Sequence, residues 1–118
     1  MDINGIMKKI MEHPDSSGIG MIASHLGLVR GSSRNGRKVR GVEVSYDLSV
    51  LNDIIKYIKG LPGIIEVMVE VNEGILDIGD EILFLAVGGD IRENVFPALE
   101  KGVNMIKQDS CRKKEIFV

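Results

Sequence analysis

Apolar side chains recur at helical spacing in two stretches of the chain before residue 62. In residues 3–11 they share one face, and we expect this helix to end before Pro14, because a residue preceding proline is pushed out of helical geometry. Residues 48–61 repeat the pattern. Asp47 or Ser49 is the expected cap, since short polar side chains bind the free N–H groups of a first helical turn. Both stretches are predicted to be amphipathic helices.

A third helical pattern lies near the end of the sequence. Its apolar positions should form one buried stripe: Val95, Phe96, Leu99, Val103 and Ile106. Pro97 is expected only in a first helical turn, which predicts a start near Asn94. An earlier start remains open, because Asp90 with Glu93 could cap another turn.

The segments between these helices are predicted to be strands. Residues 18–29 form an apolar run, typical of a buried strand, with a possible bulge at Gly27. Others alternate apolar and polar residues, as strands with one exposed face do. Residues 73–81 are expected to be a turn-rich connector. The predicted strands are 18–29, 42–46, 65–71, 82–87 and 115–118.

Helices and mostly sequential strands together indicate an α+β fold with about three helices. The sequence contains no repeat, low-complexity segment or linker. A chain of 118 residues is long enough to bury one hydrophobic core. We therefore expect a single domain over residues 1–118.

Composition and charge narrow the possible functions. The chain has 15 basic and 17 acidic residues, a net charge of −2. Such a balance argues against nucleic-acid or membrane binding, which requires a broad basic surface. The single cysteine excludes an internal disulfide and fits a reducing compartment. Without a signal-peptide pattern or a membrane-length apolar run, the protein is expected to be soluble and cytoplasmic.

A local group of cations near the C-terminus is the first candidate site. Lys107 falls about 20° beyond the edge of the last helical stripe, so we expect its ammonium group at the rim of a packed surface and not on the solvent face. Lys113 and Lys114 are neighbours in an extended segment and must face opposite sides. Only one of them can accompany Lys107. The alternative is a boundary lysine followed by a charged, solvated end.

Other candidates carry weaker signals. His13, His25 and Cys111 lack the spacing of metal ligands, so we expect no metal site. The loop 31–38 is polar and carries three cations, and glycines 88–89 precede a helix that could hold an anion at its N-terminus. Cys111 has cationic neighbours that favour a thiolate, although an idle cysteine is the simpler interpretation. These residues indicate a cationic rim without specifying a reaction.

The order and spacing of several motifs add to this picture. They resemble the large, catalytic subunit of molybdopterin synthase, the MoaE family, over roughly residues 13–118. Each motif is short, but their sequence along the chain is fairly specific. The motifs are HPDSSG (13–18), GLVR (27–30), GILDIGDE (74–81), DIRENVFPA (90–98), IK (106–107) and KKE (113–115).

This resemblance implies an α/β-hammerhead-like single domain with a mostly antiparallel sheet. It implies a homodimer within a heterotetramer, in which each large subunit binds one small ubiquitin-like sulfur-carrier subunit. The carrier ends in Gly-Gly and bears a thiocarboxylate. The implied reaction transfers this sulfur into cyclic pyranopterin monophosphate and produces the molybdopterin dithiolene. No cofactor of the large subunit's own is implied.

The resemblance also implies the site residues. Lys107 and Lys113 would be catalytic. The implied substrate-binding residues are Arg30, Arg92, Glu115 and, in place of an aromatic residue on the first strand, His25. Both the substrate phosphate and the thiocarboxylate are anions, so the reaction needs several converging cations. Lys114 is expected to be the solvated lysine.

The sequence departs from the family pattern at two further places. Ile91 replaces the usual histidine before Arg92, and Arg112 replaces the tryptophan before Lys113. A diverged, non-catalytic homologue that binds the carrier, or a pocket for an anionic metabolite without a carrier, remains an alternative. Arg92 and Lys107 also lie about 20 Å apart along one helix. We therefore expect each site to take Arg92 from a neighbouring subunit.

Overall fold

The computed structural model describes residues 1–118. It contains three α-helices and six strands, with a 3₁₀ turn at Ser16–Gly18 and a π-helical turn at Ile106–Ser110. The elements in chain order are α1 (Ile3–Met11), β1 (Met21–Leu28), β2 (Val39–Tyr46), α2 (Leu48–Lys59), β3 (Ile64–Val71), β4 (Gly74–Asp77), β5 (Glu81–Gly89), α3 (Arg92–Met105) and β6 (Cys111–Phe117).

The strands form two three-stranded sheets, ordered β1-β5-β3 and β4-β2-β6. Every strand pair is antiparallel. The α+β prediction, with about three helices and mostly antiparallel strands, is confirmed. None of the three helices is both long enough and apolar enough to span a membrane.

Two apolar clusters lie on opposite faces of the β1-β5-β3 sheet. Leu83, Leu85 and Val87 of β5 belong to the larger cluster, with residues of α2, α3 and β2. Phe84 and Ala86 belong to the smaller one, with residues of α1. Because side chains alternate along a strand, β5 is buried on both faces. Its central position in the sheet explains the continuous apolar run in its sequence.

The first two helices begin where their sequences predict, and α1 also ends as predicted, whereas α2 ends at Lys59, two residues before the predicted end. The Asp2 carboxylate accepts a hydrogen bond from the Gly5 N–H at 2.9 Å, which caps α1. Of the two cap candidates for α2, Asp47 is the one used, since it accepts from the Val50 N–H at 3.1 Å. Gly63 follows α2 with φ of 78°, a left-handed conformation that favours glycine.

The strand predicted at 18–29 is present as β1, but the prediction that it is buried is wrong. β1 is an edge strand, and Leu26 and Leu28 are 40% and 49% exposed. An apolar run records hydrophobicity but not whether another strand or helix covers it. The expected bulge is confirmed by the register shift between Gly27 and Leu28.

The connector predicted at 73–81 does contain a turn, at residues 78–79, but the prediction missed a strand. It contains β4, which pairs with β2 from Gly74 to Asp77. Glycine and aspartate are poor strand formers, so the pairing with β2 decides this element. The last strand is longer than expected, because β6 pairs along almost all of β2.

α3 begins at Arg92, two residues before the predicted start, with Pro97 inside it. Asp90 lies just before the helix and accepts hydrogen bonds from the Ile91 N–H at 2.6 Å and the Asn94 amide at 2.9 Å. The helix tolerates the proline, which removes only one backbone donor near the N-terminal end.

The buried face of α3 is rotated from the predicted stripe. Phe96 is 54% exposed, so its predicted burial is wrong. A Cβ at Gly102 would lie 3.0 Å from Leu85 Cδ2, which shows how closely the helix approaches the sheet. Small residues therefore sit at the contact. The buried positions of α3 and the following turn are Val95, Ala98, Gly102 and Ile106.

Candidate active site

An open cleft of about 810 Å³ lies where the two sheets meet. One wall is the end of β1 with the loop that follows it, and the opposite wall is β6. The start of β5, two residues of β2 and the π-helical turn complete it. The cleft thus joins segments that are far apart in the sequence.

Four cationic side chains line this cleft: Arg30, Arg34, Lys107 and Lys113. Glu115 is the only carboxylate among the lining residues. Such an excess of positive charge in a concave, partly apolar surface favours an anionic ligand.

Alternation along β6 decides which of its residues face the cleft. Lys113 and Glu115 line it, and they pair across the sheet with the buried residues Val44 and Val42 of β2. Lys114 lies outside it, beside a second, shallower groove on the sheet. The structure therefore places Lys113 with Lys107, and Lys114 away from them.

The π-helical turn determines the position of Lys107. Ile106 is fully buried at its start. At its end the Ser110 hydroxyl donates to the Asp47 carbonyl, and the Asp47 N–H donates to the Ser110 carbonyl, both at 2.9 Å. Lys107 itself is exposed and lines the cleft, as expected of a side chain at the rim of a packed surface. The periodicity of α3 does not reveal the wider turn that follows it.

His25 reaches the cleft from β1. Burial, and secondly the charge of Lys107, lower the pKa of His25 below its usual value. The imidazole is therefore neutral at pH 7. Its Nε2 atom is buried and has no hydrogen-bond partner.

Tyr46 and Cys111 form a cross-strand pair in the floor of the cleft. Burial, and secondly Cys111, raise the pKa of Tyr46 above its usual value. The Tyr46 hydroxyl donates to the Ile82 carbonyl at 3.4 Å, and the Tyr46 N–H donates to Glu73 at 3.1 Å. Cys111 is a half-buried free thiol.

Arg92 does not belong to this group. It lies at the start of α3, exposed, with its Nε atom 3.1 Å from Glu93 Oε1. Five of the six residues proposed from the sequence therefore line one cleft: His25, Arg30, Lys107, Lys113 and Glu115.

Arg34 is a cleft residue that sequence reasoning missed. It lies in a tight hairpin in which the Ser33 N–H donates to the Arg37 carbonyl at 2.9 Å. The Arg37 guanidinium lies 3.8 Å from the centre of the Phe117 ring, which fastens the hairpin to β6. The signal in the sequence was the cationic loop directly after Arg30.

Comparisons with family models and with solved structures point to the same family. The model of the family described as MoaE protein matches residues 1–109. A search of curated protein sequences gave no match. Molybdopterin synthase from Staphylococcus aureus is 25% identical in sequence, with a TM-score of 0.72 over 85% of this chain and 76% of that one.

Two further solved structures share the fold. Molybdopterin cofactor biosynthesis protein E from Burkholderia multivorans is 23% identical, with a TM-score of 0.77 over 100% of this chain and 81% of that one. In the Helicobacter pylori complex of subunits 1 and 2 of molybdopterin-converting factor, the matching chain is 18% identical. Its TM-score is 0.71, over 100% of this chain and 84% of that one.

Proposed function

This chain belongs to the MoaE protein family, and from that membership we propose that it is the catalytic subunit of a molybdopterin synthase. It takes sulfur from the thiocarboxylated C-terminus of a small ubiquitin-like carrier subunit. It inserts this sulfur into cyclic pyranopterin monophosphate, which produces the dithiolene of molybdopterin. A role in molybdopterin biosynthesis follows from the family and from the likeness to a molybdopterin synthase.

The convergence of four cations in one cleft is the observation that carries the proposal. Both reactants are anions, one through its phosphate and the other through its thiocarboxylate. Two anions repel each other unless fixed positive charges lie around both, and cations already in position need no reorganisation during the reaction. The cleft offers this arrangement with its own side chains.

We assign proton transfer to Lys107 and Lys113, because both ammonium groups belong to the cleft and a lysine can act as a general acid or base. Arg30 holds an anionic group of the substrate. His25 and Glu115 also contact the substrate. Glu115 contacts groups of the substrate that donate hydrogen bonds, since a carboxylate accepts hydrogen bonds but repels anions. Arg92 binds substrate from a neighbouring subunit.

The proposed partner is the small carrier, whose C-terminal Gly-Gly tail enters the open side of the cleft. The Helicobacter pylori structure is a complex of subunits 1 and 2 of molybdopterin-converting factor, which supports a protein partner. We propose that residues 1–118 act as one domain, in a homodimer within a heterotetramer, and that the assembly works in the cytoplasm.

A second candidate function follows from the two departures from the family pattern. Ile91 is 52% exposed and provides no side-chain hydrogen bond at the start of α3. Arg112 lies outside the cationic cleft, beside the shallower groove. A homologue with these residues could bind the carrier, or an anionic metabolite alone, without making the dithiolene.

Reconstitution distinguishes these functions. The chain is mixed with thiocarboxylated carrier and cyclic pyranopterin monophosphate, and molybdopterin is measured by mass spectrometry. A carrier ending in an ordinary carboxylate is the matched control. We expect product only with the thiocarboxylate. Carrier binding without product would identify a non-catalytic homologue, and absence of carrier binding would identify a metabolite-binding protein.

A further inference from the structure

The inward-facing residues of β1 pass from the core into the cleft. Ala23 is buried in the larger apolar cluster. His25 and Gly27 follow on the same face, because alternate residues of a strand share one side, and both line the cleft. The far end of this strand therefore presents an imidazole and a residue without a side chain to whatever occupies the cleft.

The imidazole has an unfilled hydrogen-bonding position. His25 Nε2 is buried yet has no partner within the protein. Buried polar atoms are nearly always paired, because an unpaired one loses its bond to water without replacement. A molecule bound in the cleft can supply the partner that this nitrogen lacks within the protein.

Gly27 leaves room beside this nitrogen. A Cβ at residue 27 would lie 3.4 Å from His25 Nε2 and 3.8 Å from the Leu83 carbonyl oxygen. Gly27 is not among the glycines with positive φ. Its backbone therefore does not require glycine, and the missing side chain matters for the space it leaves.

The surroundings select an uncharged partner. Lys107 is close enough to disfavour a second positive charge at His25, so a cationic ligand group would be repelled there. An anionic group would instead be held by the cationic side chains of the cleft, such as Arg30 and Lys113. A neutral imidazole offers either one N–H or one lone pair at Nε2, which suits a neutral N–H or C=O group.

We propose that His25 Nε2 and the space beside Gly27 form a subsite that hydrogen-bonds an uncharged polar group of the substrate's heterocycle, while the cations hold its anionic end. This assignment rests on the proposed function and adds to it the part of the substrate that β1 recognises. It makes His25 and Gly27 determinants of specificity and leaves proton transfer to the lysines.

The test measures binding and turnover of cyclic pyranopterin monophosphate by matched variants. His25→Phe keeps a planar ring without the nitrogen, and Gly27→Ala keeps the nitrogen but puts a methyl group in front of it. Each should raise Kd, measured by titration calorimetry, and KM by about tenfold, the usual effect of losing one buried hydrogen bond. kcat should stay within about twofold, because the contact is present in ground and transition states alike.

Three further variants make the test specific. His25→Gln retains hydrogen-bonding atoms and should recover most of the affinity lost in His25→Phe. The double variant His25→Phe, Gly27→Ala should be little weaker than either single variant, because both remove the same bond. Ser24→Ala changes an exposed residue on the opposite face of β1 and should bind as the wild type does.

The outcomes separate this inference from the proposed function. If the wild type binds and converts the substrate but His25→Phe and Gly27→Ala match its Kd, the subsite is wrong and the proposed function stands. If the losses of affinity in the two single variants add up in the double variant, the two substitutions do not remove the same hydrogen bond, and the subsite is also wrong. If the wild type neither binds nor converts the substrate, the proposed function and the subsite fall together.

Discussion

At the scale of single residues, side-chain direction separates the lysines near the C-terminus. Lys107 and Lys113 line the cleft, whereas Lys114 faces the other side of β6. The difference follows from the two-residue period of a strand, which the sequence already contains. Charge alone would not distinguish these three residues.

We predict that Lys107→Ala abolishes most sulfur transfer, by about 100-fold or more, because a positioned acid or base contributes at least that much. The side chain is exposed, so the free energy of unfolding should change by no more than about 0.5 kcal/mol. Activity and melting temperature are measured on the same preparations. Lys114→Ala is the control and should retain both. A large loss of stability with activity retained would make Lys107 a structural residue.

Cys111 is the one residue whose chemistry could compete with this mechanism. It is a free thiol in the cleft, next to Tyr46 on the neighbouring strand. Since the proposed sulfur donor is the carrier's tail, Cys111→Ser should keep sulfur transfer within about threefold, typical of a residue outside the transition state. Detection of a persulfide on Cys111 by intact-mass analysis during turnover would contradict this mechanism.

At the scale of elements, one carboxylate joins three segments of the fold. Glu66 of β3 lies 2.8 Å from the Lys59 ammonium at the end of α2 and 3.7 Å from His13 Nε2 beyond α1. Burial alone would raise the pKa of Glu66. The hydrogen bonds from Lys59 and the Val67 N–H, with the charges of Lys59 and His13, outweigh burial and lower it.

A lowered pKa makes this contribution depend on pH. Above the unfolded-state pKa of about 4.5 both states are ionised and the stabilisation is complete. As the pH falls through the native pKa, Glu66 gains a proton and the stabilisation is lost. We predict that Glu66→Gln lowers the free energy of unfolding by about 1 kcal/mol at pH 7, and that the difference shrinks towards pH 3.

Urea unfolding at several pH values measures this effect. Glu70→Gln, on the same strand, is the control, because Glu70 forms no ion pair. Its difference from the wild type should stay small and change little with pH. An equal loss in both variants at every pH would show that the ion pairs of Glu66 do not stabilise the fold.

The elements also differ in how well local patterns predict them. α1 and α2 have a clear apolar face and a capping aspartate, so their bounds follow closely from the sequence. β4 has only four residues, begins with glycine and ends with aspartate, and is stabilised by its pairing with β2. Tertiary contacts also decide which face of α3 is buried. Close packing on Leu85 favours the small residues Ala98 and Gly102 over the larger Phe96.

At the scale of the whole molecule, the proposed site is incomplete in one chain. Arg92 lies at the start of α3, and Lys107 follows its end, about 20 Å further along the axis at ~1.5 Å per residue. A pterin-sized substrate cannot easily contact both in the same chain. A two-fold dimer can bring the helix start of one subunit near the helix end of the other.

We predict that Arg92→Ala and Lys107→Ala homodimers are each nearly inactive, yet complement one another. Unfolding and refolding them together in equal amounts gives about half mixed dimers, each with one intact and one doubly damaged site. About a quarter of wild-type sulfur transfer should therefore return. Either variant refolded alone is the control. If mixed dimers form, as judged by mass spectrometry of differently tagged chains, and no activity returns, both residues serve the same site in one chain.

The sequence by itself determined the helices, most of the strands, the order of the motifs and the opposite facing of Lys113 and Lys114. These features depend on residues close together in the sequence. The spacing of the apolar residues among them indicates which side of a helix or strand faces the core. Only the tertiary structure decided that β1 is an edge strand, that β4 exists, and that Lys107 sits on a π-helical turn exposed at the cleft. It also brought Arg34 and the unpaired nitrogen of His25 into the cleft that β6 lines. Such contacts join segments distant in the sequence, and no local period encodes which segments meet.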